Sequence, residues 1–141
     1  MVVRVKLKIK GKNKEVITSA LVNSGFEATE PQLIIPLSLA EAIGVTSMEA
    51  DIEDFSVAAG NKVSGYRIKE PIEVELILED REPIKTQAAV TILPGEVEAI
   101  ISDYLASALN IAILNPRHGD WCLQDEIGTK RRTSTPPEEW R

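Results

Sequence analysis

The chain has 141 residues, the size of one domain, and is 43% hydrophobic with only 4% aromatic residues. A core for such a chain rests on Val, Ile, Leu and Ala, which favours strands over a helical bundle. A formal net charge of -6 excludes the clustered basic footprint of a general nucleic-acid binder, and no apolar run reaches the roughly 18 residues of a membrane span.

The first fourteen residues hold six basic side chains and no acidic one, namely Arg4, Lys6, Lys8, Lys10, Lys12 and Lys14. Through Lys10 they alternate with Val3, Val5, Leu7 and Ile9, so they read as the wet face of a half-buried strand and need no nucleic-acid or membrane partner. A polar turn at Gly11-Lys12-Asn13-Lys14 and the apolar run Val16–Val22 complete a hairpin. That hairpin delivers the chain to Asn23-Ser24-Gly25. A short buried strand is expected at Leu33-Ile34-Ile35, and Pro36 and Ser38 then open a helix through Leu39–Ile43 that Gly44 stops.

Residues 48–57 and 63–68 flank Ala59-Gly60-Asn61 and predict a second hairpin with a small, mobile tip. Its first arm is acidic (Glu49, Asp51, Glu53, Asp54), without the spacing of a calcium loop. Ile72, Val74, Leu76 and Leu78 alternate with Glu73, Glu75 and Glu79, and Thr86–Leu93 is apolar, so these two segments are expected to pair as strands. A short helix is expected at Asp103–Leu109, with Ser102 or Asp103 as its N-cap and Asn110 at its end. Strands at Ile111–Leu114 and near Trp121–Gln124 follow, joined through Asn115-Pro116-Arg117-His118-Gly119. The domain is expected to span residues 1–127, with 128–141 a flexible, polar C-terminal tail.

No metal site or cofactor is expected. His118 is the lone histidine and sits in a turn, while Cys122 lacks a disulfide partner and is expected to be buried beside Trp121. Gly60 and Gly65 have no phosphate-loop spacing. With no secretory segment at the amino terminus, the expected location is cytoplasmic.

The segment Ala20-Leu21-Val22-Asn23-Ser24-Gly25 runs an apolar strand into a polar-small-glycine triplet and onward to a short strand and helix. Here the sequence resembles the retropepsin-like aspartic proteases over about residues 3–124. In that family the corresponding strand ends in Asp-Thr-Gly or Asp-Ser-Gly. A second match is Ala99-Ile100-Ile101-Ser102 leading into the helix at Asp103. The glycine hairpin around Ala59, Gly60 and Asn61 sits where the family carries its substrate-covering flap.

The resemblance implies a mainly β fold, a closed retropepsin-like barrel with one or two short helices. It also implies a homodimer that joins two such loops around an extended peptide, with Asn23 at the position of the catalytic Asp and Ser24 and Gly25 as its companions. Asn23 cannot accept or share a proton at neutral pH, so the chain as written is expected to be inactive. Phe26, in place of a small residue, and Ser102, in place of glycine, also depart from the family. A deliberate Asp→Asn change and a natural divergence both fit. Three functions stay open: a disabled homodimeric aspartic endopeptidase, a non-catalytic homodimer that grips peptides in the same cleft, and a structural β-barrel module.

Overall fold

The computed structural model describes residues 2–56 and 62–141. Ala59, Gly60 and Asn61, the expected flap tip, lie outside the described residues. The molecule is mainly β, and six of its strands form a closed barrel. These are β1 (Arg4–Lys10), β2 (Glu15–Val22), β3 (Gln32–Ile35), β6 (Ile72–Leu76), β7 (Ile84–Ile92) and β8 (Ala99–Ile101). Pairing runs β1-β2-β8-β3-β7-β6 and returns to β1, which removes exposed strand edges. Two contacts in the ring are parallel, β2 with β8 and β3 with β7.

Period-two patterning produces this barrel. Along β1, Val5, Leu7 and Ile9 are buried, and they meet Leu33 and Ile35 of β3, Val74 and Leu76 of β6 and Ile101 of β8 in one core. Part of the basic stripe of β1 is met by acidic partners on neighbouring strands. Lys10 pairs with Glu73 at 2.9 Å and Glu75 at 3.0 Å on β6, and Lys8 stands opposite Glu75 in register. Glu75 is buried, and the Lys10 ammonium holds its carboxyl below the usual carboxylate range.

The second hairpin, β4 (Ala50–Ser56) with β5 (Lys62–Ile68), hangs from the barrel through Tyr66↔Ile92 and Arg67↔Thr91 on β7. Helix α1 covers Leu37–Ala42, and α2 covers Asp103–Ala108. Both have six residues, too short to persist alone, and each is held by buried side chains, Leu39 and Ala40 in α1 and Leu105 and Ala106 in α2. α1 starts after Pro36 with no side-chain cap, so Ser38 lies inside the helix and does not open it. Gly44 ends it with φ 76°, and its left-handed backbone also lets the β1–β2 turn approach: a Cβ there would meet the Lys12 carbonyl at 3.1 Å.

After α2, Asn110 adopts φ 62°, and β9 (Ile111–Asn115) and β10 (Asp120–Leu123) form a separate two-stranded sheet that buries Trp121 and Cys122. Residues 128–141, expected as a tail, form no helix or strand beyond an isolated bridge at Arg132 and are hydrogen-bonded to the barrel. Trp121 and Arg132 exchange backbone bonds, Thr135 N–H donates to the Arg4 carbonyl, and Glu138 N–H donates to Ser19 Oγ at 2.7 Å. Trp140 packs on the core and donates its indole N–H to Thr18 Oγ1 at 2.9 Å. No helix among the described residues is long and apolar enough to cross a membrane.

Candidate functional site: paired strand-to-loop junctions

β2 and β8 lie side by side and parallel, with Ala20↔Ala99, Leu21↔Ile100 and Val22↔Ile101 in register. Both therefore release their chains at the same end of the barrel, one into Asn23-Ser24-Gly25 and the other into Ser102-Asp103 and α2. Two backbone bonds cross between the junctions. Asn23 N–H donates to the Ile101 carbonyl at 3.2 Å, and Asp103 N–H donates to the Phe26 carbonyl at 3.0 Å.

Asn23, Ser24 and Gly25 are all exposed. Gly25 N–H donates to Asn23 Oδ1 at 3.0 Å, folding the side-chain amide back over its own loop, and Phe26 N–H closes the turn on the Asn23 carbonyl at 3.0 Å. Gly25 suits this close turn, since a Cβ there would approach Asn23 Oδ1 at 3.3 Å. Oδ1 is thus engaged as an acceptor, while the side-chain NH2 can only donate. The loop can hold and orient a polar group, and it has no proton acceptor to offer a reacting water.

The second junction is built oppositely. Ser102 is fully buried, and its Oγ accepts from Leu105 N–H at 3.1 Å, as the N-cap of α2, and from Gln32 N–H at 3.1 Å at the start of β3. One Asp103 carboxylate oxygen accepts from Ala28 N–H at 3.0 Å, tying down the loop that follows Gly25. Phe26 is only half-buried and contributes its backbone to the cross-link. The sequence offered Ser102 or Asp103 as the cap, and the structure gives that place to Ser102; nothing in the local pattern told that its hydroxyl also serves β3 or that Asp103 ties down Ala28. The Ser-Asp pair before an apolar helix was the available signal for the cap.

A further link joins the site loop to the β4–β5 hairpin. Arg67 on β5 pairs with Glu30, and Glu53 on β4 lies at 3.9 Å from the same guanidinium. The face of this hairpin that carries Ile52 opposite Tyr66 exposes both side chains. Among the described residues no group of acidic, His or Cys side chains could hold a metal ion. His118 is exposed in its turn, and burial pushes the Cys122 thiol up.

A surface depression of about 640 Å³ is lined by Lys10–Asn13, Ser47–Glu49 and Lys69–Glu73. It sits at the other end of the barrel, since the seven residues of β1 separate it from the junctions by about 23 Å at 3.3 Å per residue. The junctions define a β-barrel protein with an exposed polar loop braced by a buried one. No protein-family model matches the chain, and a search of curated proteins finds no relative.

Proposed function

We propose that this chain is a homodimeric, retropepsin-like aspartic endopeptidase homologue that is inactive as written because Asn23 occupies the position of the catalytic Asp. The observation that carries this reading is the parallel pairing of β2 with β8 inside a six-strand barrel. It puts Asn23-Ser24-Gly25 beside a helix-capping junction, with a hairpin tethered to the same loop. One chain supplies one such loop, so a two-fold dimer is required to bring two together.

With Asp at position 23, the two carboxylates of the dimer would share a proton, because two adjacent charges cannot both be held cheaply. The ionised one would take a proton from water while its protonated mate donates to the scissile carbonyl. An extended peptide would lie across both loops under the β4–β5 hairpins, bound by added-strand hydrogen bonds. Ala59, Gly60 and Asn61 would cover it. We place the protein in the cytoplasm, where a single free cysteine is at home.

Ser102 favours a second reading, a non-catalytic homodimer that binds peptides in the same cleft. Its hydroxyl is integrated into two hydrogen bonds, so the departure from the family's glycine is built into this fold. The Asn23→Asp protein decides between the two. Cleavage of a peptide library at acid pH, from a dimer by light scattering, supports the peptidase. Peptide binding without cleavage supports the binding module, and a protein that remains monomeric at high micromolar concentration counts against both.

A further inference from the structure

The loop that lacks a carboxylate has the chemistry to make one. The chain contains five asparagines, at 13, 23, 61, 110 and 115, and only Asn23 is followed by a small residue, Ser24. Asn13 and Asn61 precede lysine, Asn110 precedes the β-branched Ile111, and Asn115 precedes Pro116, which has no N–H. Asn23 is exposed, and Ser24 N–H donates to no acceptor among the described residues. Asn23 Oδ1 already receives the Gly25 N–H at 3.0 Å, a donor aimed at the oxygen that gains charge if the side-chain carbonyl is attacked. Asn115 is an internal control. Its Oδ1 accepts from Arg117 N–H at 3.1 Å, the same two-residue span, but the intervening residue is proline.

We infer that Asn23 is a self-modification site, at which the Ser24 backbone nitrogen displaces ammonia from the side-chain amide and hydrolysis leaves Asp at position 23. In the first step Ser24 N–H gives its proton to solvent base, and the nitrogen bonds to Asn23 Cγ. The charge on Oδ1 is met by the Gly25 N–H. Collapse breaks the bond from Cγ to the side-chain nitrogen, which leaves as ammonia after taking a proton from water, and a five-membered succinimide remains. Water then adds to that ring. Opening at Cγ gives Asp, and opening at the backbone carbonyl gives isoaspartate, with no oxidant or reductant consumed. The normal product is the Asp-Ser-Gly loop, so the chain as translated would be a latent form that matures by ageing. This last consequence rests on the peptidase reading above, whereas the modification does not.

The test incubates the freshly purified full chain at mildly alkaline pH and follows each asparagine by peptide mapping and mass spectrometry. The expected result is progressive conversion of residue 23 to Asp and isoaspartate while residues 13, 110 and 115 remain amides. Ser24→Gly should speed the conversion by removing bulk beside the nucleophile, and Ser24→Pro should abolish it by removing the N–H. Residue 23 staying an amide, converting no faster than Asn13 or Asn110, or failing to respond to Ser24→Gly would each overturn the inference, even if the proline variant misfolds. Aged samples are then assayed for peptide cleavage in acid. Cleavage rising with the Asp fraction supports both readings. Conversion without cleavage upholds the modification and counts against the peptidase, while cleavage by Asn23→Asp without conversion of the parent overturns this inference alone.

Discussion

The junctions after β2 and β8 begin alike, as apolar strands released in register at one end of the barrel, and then diverge in what water can reach. Ser102 is fully buried with two backbone partners on its hydroxyl, whereas Asn23, Ser24 and Gly25 are exposed and hydrogen-bond mostly within their own loop. The buried junction has given its polar atoms to structure. The exposed one retains an amide NH2 and a hydroxyl that have no hydrogen-bond partner among the described residues. A closed barrel with paired strand ends can therefore hold an exposed polar loop in place by bonding its neighbour into the structure.

The largest effect expected from breaking this contrast comes from Asn23→Asp. A carboxylate there should raise acid peptidase activity by about 10²–10⁴-fold over the parent, the usual contribution of a positioned acid–base group. Activity should fall as pH rises, because the shared-proton state exists only between the two apparent pKa values of the pair. Initial rates on a peptide library from acid to neutral pH are the measurement.

Ser102→Ala attacks the other junction. It removes the α2 cap and leaves the Gln32 N–H without its acceptor, so the expected loss is about 2–3 kcal/mol of stability in urea unfolding. Ser24→Ala, on the exposed side, should stay within about 0.5 kcal/mol of the parent. Equal losses from the two serine variants would remove the distinction between a structural and a functional junction.

A network outside both junctions serves as a comparison for acid sensitivity. Glu126 accepts from Arg132 and Arg81 and from the Leu123 N–H, and the Arg132 guanidinium beside it is the main reason its carboxyl is lowered to about 2. A depressed carboxylate contributes its full stability above its unfolded pKa, near 4.5. That contribution is lost as pH falls from there through about 2. Glu126→Gln should therefore flatten the acid limb of a pH–stability curve over that window. The same substitution should cost about 1.5–3 kcal/mol near neutral pH, the range for a hydrogen bond to a charged group. Both junctions should be unaffected, because neither contributes to this cluster.

A small effect is also expected from Asp103→Asn. The amide oxygen can still accept from Ala28 N–H, so the change removes only a negative charge from the first turn of α2, about 0.3–1 kcal/mol. Asp103→Ala should cost more, since it also frees the loop after Gly25. Hydrogen exchange at residues 24–28 reads that loosening directly.

Local physics made much of this legible in advance. The alternation of Val5, Leu7 and Ile9 with lysines dictated a strand with one buried face, the turn residues placed the hairpins, and the Ser-Asp pair before Leu105 placed α2 and its cap. These depend on residues a few positions apart. What depended on distant residues was not legible. The acidic stripe of β6 is legible as a strand, but only the β1–β6 register reveals that Glu75 is buried against Lys10. Polar composition suggested a tail at 128–141, yet Thr135 meets Arg4 and Trp140 meets Thr18 through partners more than 100 positions away.

Position 23 divides the same way. The residue types alone established that the loop lacks a proton acceptor, because an amide is an amide in any fold. Only the tertiary structure decided that β8 would lie parallel to β2, and hence that Ser102 and Asp103 would brace the loop while leaving Asn23 in water. Side-chain chemistry is carried by each residue, whereas burial and partnership are properties of the closed barrel, set once six strands from across the chain have found their register.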